Sequence, residues 1–198
     1  MNAGYKMSNY YNENSKAFID DTFTCDMSSQ YNFFERYLNN AKTILDLGFG
    51  SGRDSLYFQN KGYEVYSIDP TLEFCNNAKK MGLKHVYQMT AQKMNFKDLF
   101  DGIWACASLL HVSSKELNDT FKKCSNALKE NGIMYASFKY GIFEGERHGR
   151  YFLDLNEESI KKYLKGTNLS IIDMLVTEDV RKDKETKWLN IIFKKVKI

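Results

Sequence analysis

The chain has 198 residues, 27% of them charged and 15% aromatic, with a formal net charge of +3. That length suits one domain with a substantial core, and so small a positive excess gives no sign of a nucleic-acid-binding protein. Cys25, Cys75, Cys106 and Cys124 stand apart with no C-x-x-C pair, so neither a zinc site nor a disulfide framework is indicated and a reducing, cytoplasmic setting is expected.

Residues 1–25 are polar and aromatic with weak patterning, and Met1 to Tyr11 lacks the apolar core of a signal peptide. No apolar run approaches membrane-spanning length. Met27, Tyr31, Phe34 and Leu38 share one face of a predicted helix from about Met27 to Asn40. Strand one is expected at Thr43 to Leu47, then a helix from Gly52 toward Lys61 that stops at Gly62. Strand two runs from Tyr63 to Ile68, a helix from Thr71 to Gly82, and strand three near His85 to Met89. Strand four covers Gly102 to Ala107. Ser113-Ser-Lys-Glu116 reads as a capping box for a helix with Leu117, Phe121, Cys124 and Leu128 as its stripe, ended by Asn131-Gly132. Ile133 to Phe138 is strand five, and Asn156 caps a helix ending at Gly166. Leu169 to Val176 and Trp188 to Val196 read as two strands joined by a charged turn, hence antiparallel. The lysines of Lys194-Lys195-Val-Lys197 suit a charge-protected edge strand, which could pair weakly with a second copy. Alternating strands and helices with a final hairpin imply an α/β fold, a mostly parallel sheet with helices on both faces.

The segment Thr43-Ile-Leu-Asp-Leu-Gly-Phe-Gly-Ser-Gly-Arg-Asp54 carries the strongest signal. An apolar run ends in an acid, three glycines follow at alternate positions, and Asp69 closes the next apolar run. A parallel sheet holds an adenosine-containing cofactor in this way. The spacing departs from G-x-G-x-x-G, because Arg53 stands where the last glycine would be. Asp46, two residues before the loop, would repel a pyrophosphate and attract the ammonium and sulfonium of S-adenosylmethionine (SAM). Asp69 can accept both ribose hydroxyls, and Pro70 keeps it out of the α region. A tight turn without a ligand, and an Asp that only starts a helix, are the plainer readings of the same residues.

The segments Asp46-Leu-Gly-Phe-Gly-Ser-Gly-Arg-Asp-Ser-Leu-Tyr57 and Phe100-Asp-Gly-Ile-Trp-Ala-Cys-Ala-Ser-Leu-Leu-His-Val112 resemble the class I SAM-dependent methyltransferases, and within them the bacterial branch of tellurite-resistance methyltransferases. The resemblance runs from about Tyr10 to Ile198. It implies a Rossmann-like three-layer sandwich whose seventh strand is antiparallel and inserted next to the fifth. It also implies one domain over residues 1–198, with residues 1–41 as an N-terminal lid and helix and 42–198 as the core. By that resemblance Asp46, Gly48, Gly50, Gly52 and Arg53 surround the methionyl group, and Asp69 and Pro70 the ribose. Thr90, Ala91 and Gln92 flank the adenine, and Cys106, Ala107 and Ser108 lie beneath the methyl. Thr90 departs from the family, where an acid is common, and Phe49 stands where relatives have a small residue; its ring should turn away from SAM. Tyr10 and Tyr11 match an aromatic pair that closes over the cofactor and excludes water, or are ordinary tyrosines among 13.

The expected product is S-adenosylhomocysteine (SAH), and the expected acceptor a small molecule. Nucleic-acid or protein methylation and a non-catalytic SAM-binding module are the alternatives, and a nicotinamide oxidoreductase fits the spacing least. No metal is called for, and the chain is expected as a monomer or weak homodimer. Because the sulfonium activates the methyl, alignment suffices for transfer. His111 is the candidate base, or a histidine that orients its loop. The loop after strand five places Lys139, Arg147 and Arg150 where a parallel sheet forms its crevice. With Tyr10 and His111 they are the candidate acceptor contacts, and arginine can clamp an anion bidentately; the plainer reading is a charged surface loop.

Overall fold

The computed structural model describes residues 9–181 and 184–197; the polar stretch before Asn9 lies outside them. Residues 9–13 are helical, followed by α1 (Ser15–Thr22) and α2 (Ser28–Glu35). The core then alternates β1 (Thr43–Leu47), α3 (Arg53–Asn60), β2 (Glu64–Asp69), α4 (Leu72–Lys80), β3 (His85–Gln88), β4 (Phe100–Ala105), α5 (Ser114–Ala127) and β5 (Leu128–Lys139). A hairpin of β6 (Glu144–Arg147) and β7 (Arg150–Leu153) comes next, then β8 (Leu169–Glu178) and β9 (Lys187–Lys195).

Seven strands form one sheet in the order β3-β2-β1-β4-β5-β9-β8. The pairs from β3 to β5 are parallel, and β9 runs antiparallel between β5 and β8. Every residue of β1 is buried, as befits a strand covered on both faces. Alternation along the strands supplies two cores. Ile103, Met134 and Phe193 face α5, whose stripe of Leu117, Phe121 and Cys124 is wholly buried. Trp104, Tyr135 and Ile192 face Tyr31 and Phe34 of α2 and Phe58 of α3. Each such large side chain contributes about 1.5–3 kcal/mol by leaving water. This is the expected three-layer, mostly parallel sandwich.

Several elements differ in detail from the sequence reading. The helix after Met27 stops at Glu35, short of Asn40. At α5 the capping box does not close: the Ser113 hydroxyl donates to the Glu116 carboxylate (2.8 Å) rather than capping a backbone N–H. Asn131-Gly132 lies within β5, because Leu128 already pairs with Phe100 and the residues up to Ile133 bulge, with Asn131 at φ 61°. The helix expected after Asn156 is only a 3₁₀ turn, Ile160–Tyr163, although the Asn156 side chain does accept from the N–H groups of Glu158 and Ser159. The charged loop after β5 is the β6–β7 hairpin, turned by His148 (φ 50°) and Gly149 (φ 74°), the doubly left-handed turn that suits hairpin twist. The lysine-rich last strand is interior rather than an edge, since β8 covers it.

Candidate active site

Two connected cavities open at the carboxyl ends of β1, β2 and β4, where open parallel sheets bind ligands. The narrower, about 120 Å³, is a cleft bordered by Gly48, Gly50, Asp69, Pro70, Thr90, Ala91 and Gln92. Gly48 has φ 77°, and a Cβ there would stand 2.4 Å from the Ser108 Cβ, so backbone and Ser108 can meet only at a glycine. Asp69 ends β2. Its Oδ1 accepts from the Thr71 N–H (2.8 Å) and its Oδ2 from the Gly50 N–H (3.1 Å). Burial lifts its carboxyl from 3.8 to about 6, against the pull of those N–H groups. Among the described residues, the Ser108 hydroxyl is buried without a partner and borders this cleft, as does the Thr71 hydroxyl beside the Asp69 carboxylate. A charged acceptor with spare lone pairs, these hydroxyls and an apolar flank of Met89, Leu109 and Val112 suit an adenosine with its ribose diol.

The second cavity is a chamber of about 430 Å³ that shares Tyr11, Phe18, Gly48, Gly50, Ala107 and His111 with the cleft. Cys106, Tyr135, Ser137 and Lys139 come from the ends of β4 and β5, Arg150 and Phe152 from β7, and Trp188 and Asn190 from β9. His111 stands where the two cavities join. Its Nδ1 lies 2.6 Å from the Tyr151 carbonyl, which can only accept, so Nδ1 carries the proton and Nε2 is left as an acceptor. The Tyr11 hydroxyl donates to that Nε2 (3.1 Å) and accepts from Arg150 Nη1 (3.3 Å). Burial, helped by the charges of Arg150 and Lys139, lowers the imidazole to about 4. Burial likewise raises the Tyr11 phenol, and it raises the Cys106 thiol to about 12.

The remaining anticipated residues have other places. Asp46 lines neither cavity. It is 2% exposed, accepts from Ser55 Oγ (2.6 Å), and burial and then the nearby Asp54 hold its carboxyl well above the usual range. The acids that border the chamber are Asp54, Glu178 and Asp179; Asp54 is fully engaged by Arg53 (2.6 and 2.9 Å), Tyr31 (2.5 Å) and the Trp104 indole (2.9 Å), Asp179 by Arg181 (2.8 Å), and Glu178 faces Lys187 (3.6 Å). Arg53 also donates to the Thr22 carbonyl (3.0 Å) and so ties α1 to the glycine loop. Gly52 (φ 83°) precedes α3 and backs onto Met81. Phe49 packs into the cluster of Phe74, Cys75 and Leu83 while also edging the chamber. Arg147 is turned aside by Asp154 (2.7 Å) and the Phe143 ring (3.7 Å). Tyr10 borders neither cavity; its ring supports the Arg150 guanidinium (5.0 Å) and meets Tyr11 edge-on (5.4 Å). The reading had not found Thr71, Phe18, Gln30, Phe152, Trp188 and Asn190 as wall residues. Of these only Thr71, next to Asp69-Pro70, carried a local signal.

A glycine loop after β1, an acid ending β2 and an antiparallel strand inserted beside β5 define the class I SAM-dependent methyltransferase fold. Residues 45–136 match the family described as a methyltransferase domain. It is 31% identical over 118 residues to Bacillus subtilis (strain 168) YqeM, provisionally named a methyltransferase, covering 54% of this chain and 48% of that protein. It is 25% identical to the phosphoethanolamine N-methyltransferase of Plasmodium falciparum (isolate 3D7), over 72% of this chain and 53% of that protein. The chain thus spans about half the length of both curated relatives. Among solved structures, the Burkholderia thailandensis 1,6-didemethyltoxoflavin-N1-methyltransferase, with 1,6-didemethyltoxoflavin and SAH bound, superposes with a TM-score of 0.79 at 17% identity, covering 100% of this chain and 92% of that one. At that identity the likeness is one of fold. Among the described residues, no helix is long and apolar enough to cross a membrane.

Proposed function

We propose that this chain, acting as one domain, transfers a methyl group from SAM to a small-molecule acceptor and releases SAH. The observation that carries the reading is the junction at His111 and Ala107, where a cleft fitted to adenosine opens into a chamber of about 430 Å³, a size typical of small-molecule sites. Bound SAM supplies a methyl group already made electrophilic by its sulfonium. Asp69 accepts the ribose hydroxyls, the Gly48–Gly50 loop lies along the methionyl part, and Thr90 to Gln92 flank the adenine. Tyr11 and Phe18, from the segment before the core, cover the junction and keep water out. Residues 1–41 are in this reading the lid and first helix.

Alignment of the acceptor behind the methyl is worth on the order of 7–11 kcal/mol for well-oriented reactants. His111 presents a neutral Nε2 toward the junction. It orients the acceptor, and with its ring lowered to about 4 it is only a weak base toward the acceptor's proton. The resemblance of the segments Asp46 to Tyr57 and Phe100 to Val112 to the tellurite-resistance methyltransferases supports reading the chain as one of that branch, with the acceptor atom open. The test is calorimetric titration with SAM, SAH and NAD in turn. Micromolar binding of the first two, lost in Asp69→Ala, is the expected result; NAD binding alone overturns it. SAH release from SAM in the presence of pooled small acceptors then tests transfer.

A further inference from the structure

Among the described residues, three arginines near the chamber are paired with carboxylates, and Arg150 and Lys139 are not. Arg53 is held by Asp54 (2.6 Å), Arg147 by Asp154 (2.7 Å) and Arg181 by Asp179 (2.8 Å). Arg150 and Lys139 make no ion pair with any carboxylate among the described residues. The Arg150 guanidinium lies between the rings of Tyr10 (5.0 Å) and Phe152 (5.2 Å) and, among the described residues, donates only to the Tyr11 hydroxyl and keeps a buried Nε with no partner. The Lys139 ammonium lies 4.5 Å from the centre of the same Phe152 ring. Burial lowers its pKa, Asp154 opposes this from beyond ion-pair distance, and Arg147, Arg150 and Arg181 add to it. Asp154 gives its Oδ2 to Arg147.

Two cations thus share one aromatic ring in a partly desolvated wall, where like charges repel more than in water and a charge without a counter-ion is costly. We propose that the acceptor is a small molecule bearing an oxyanion, a carboxylate or a phosphate, held in the chamber by Arg150 and Lys139. The assignment rests on the methyl-transfer reading of the chamber. Arg150 can engage an oxyanion through two parallel N–H groups, and Lys139 adds a point charge. Because Arg150 also holds Tyr11, the bound anion lies close to the Tyr11–His111 pair.

Protein saturated with SAH, which fills the cofactor's own carboxylate site, is titrated calorimetrically with inorganic phosphate, with benzoate and with neutral benzamide. At least one anion is expected to bind and benzamide is not; phosphate alone selects phosphate esters, benzoate alone carboxylic acids. Arg150→Met and Lys139→Met should each weaken the anion at least about tenfold, Arg150→Lys should recover part of the loss, and Arg147→Met should leave it nearly unchanged. Each variant is checked for unaltered SAH affinity and thermal midpoint, and Lys139→Met carries the test if Arg150→Met fails to fold. Normal SAH binding with no anion binding overturns the proposal, as does equal binding of benzamide or anion binding that survives both methionine variants. Failure of SAH itself to bind overturns the methyl-transfer reading beneath it.

Discussion

Replacing Asp69 by Asn should make the ligand-free protein more stable while spoiling its cofactor site. Burial raises the carboxyl from 3.8 to about 6. At about 1.36 kcal/mol per pH unit, holding it ionised at pH 7.5 costs the fold about 3 kcal/mol. The sign follows from linkage. A raised pKa contributes stability that is fully present below 3.8 and is lost as pH climbs through about 6. Asn removes the charge but offers one acceptor where Asp offers two, so the N–H of either Thr71 or Gly50 loses its partner, at about 1–2 kcal/mol. The net gain at pH 7.5 is about 1–2 kcal/mol, and it reverses to a deficit of about 0.5–1.5 kcal/mol near pH 4, where the carboxyl no longer has to be held ionised. His111 titrates the other way over much of this window, because its pKa is lowered from 6.5 to about 4 and its contribution is lost as pH falls. Urea unfolding of both proteins from pH 4 to 7.5 therefore reads their difference, not either curve alone. Hydrogen bonds to a charged acceptor are worth about 1.5–3 kcal/mol each, so SAH should bind the variant at least about tenfold more weakly. A variant less stable than wild type at pH 7.5, or one that binds SAH equally well, refutes the account of Asp69.

Three further outcomes are expected. Nitrogen-15 NMR should find His111 as the Nδ1–H tautomer at pH 7 with a midpoint near 4; a midpoint above 6 would mean that the ring is not buried in solution. Gly48→Ala should lose about 2–4 kcal/mol in urea unfolding, since the new Cβ meets Ser108 at 2.4 Å and φ is 77°, and Gly48→Ala/Ser108→Gly should regain part of it if that collision is the cause. Asp54→Ala should cost about 3–5 kcal/mol by the same measurement, because it strands Arg53 and two buried donors, Tyr31 and Trp104; a loss below 1 kcal/mol would show that Arg53 has found another partner.

The glycine loop and Asp69 were legible because their signals are local. Thr43 to Leu47 and Tyr63 to Ile68 are mainly apolar runs, and the glycines and Asp69 follow at their ends. The acceptor half was not, because folding assembles it from distant segments: Tyr11 meets His111 across 100 positions and Arg150 across 139. The β6–β7 hairpin was missed since Glu144, Glu146, Arg147 and Arg150 show no apolar alternation, and its two strands stand apart from the main sheet. Asp46 was expected beside the cofactor's cationic groups. Ser55, which lies in α3, takes its Oδ2 and draws it behind the loop, a contact that spacing cannot foretell.

The interior position of β9 has a consequence for how the protein is made. Met134, Tyr135 and Ala136 of β5 are sealed by Phe193, Ile192 and Ile191. All of the hairpin and β8 are translated between these two strands. While the ribosome adds them, the parallel half of the sheet is already available, and β5 presents a long apolar edge with unpaired N–H and C=O groups. Such an edge recruits strands from other chains. The edge of β5 is closed only when Lys187–Lys195 docks.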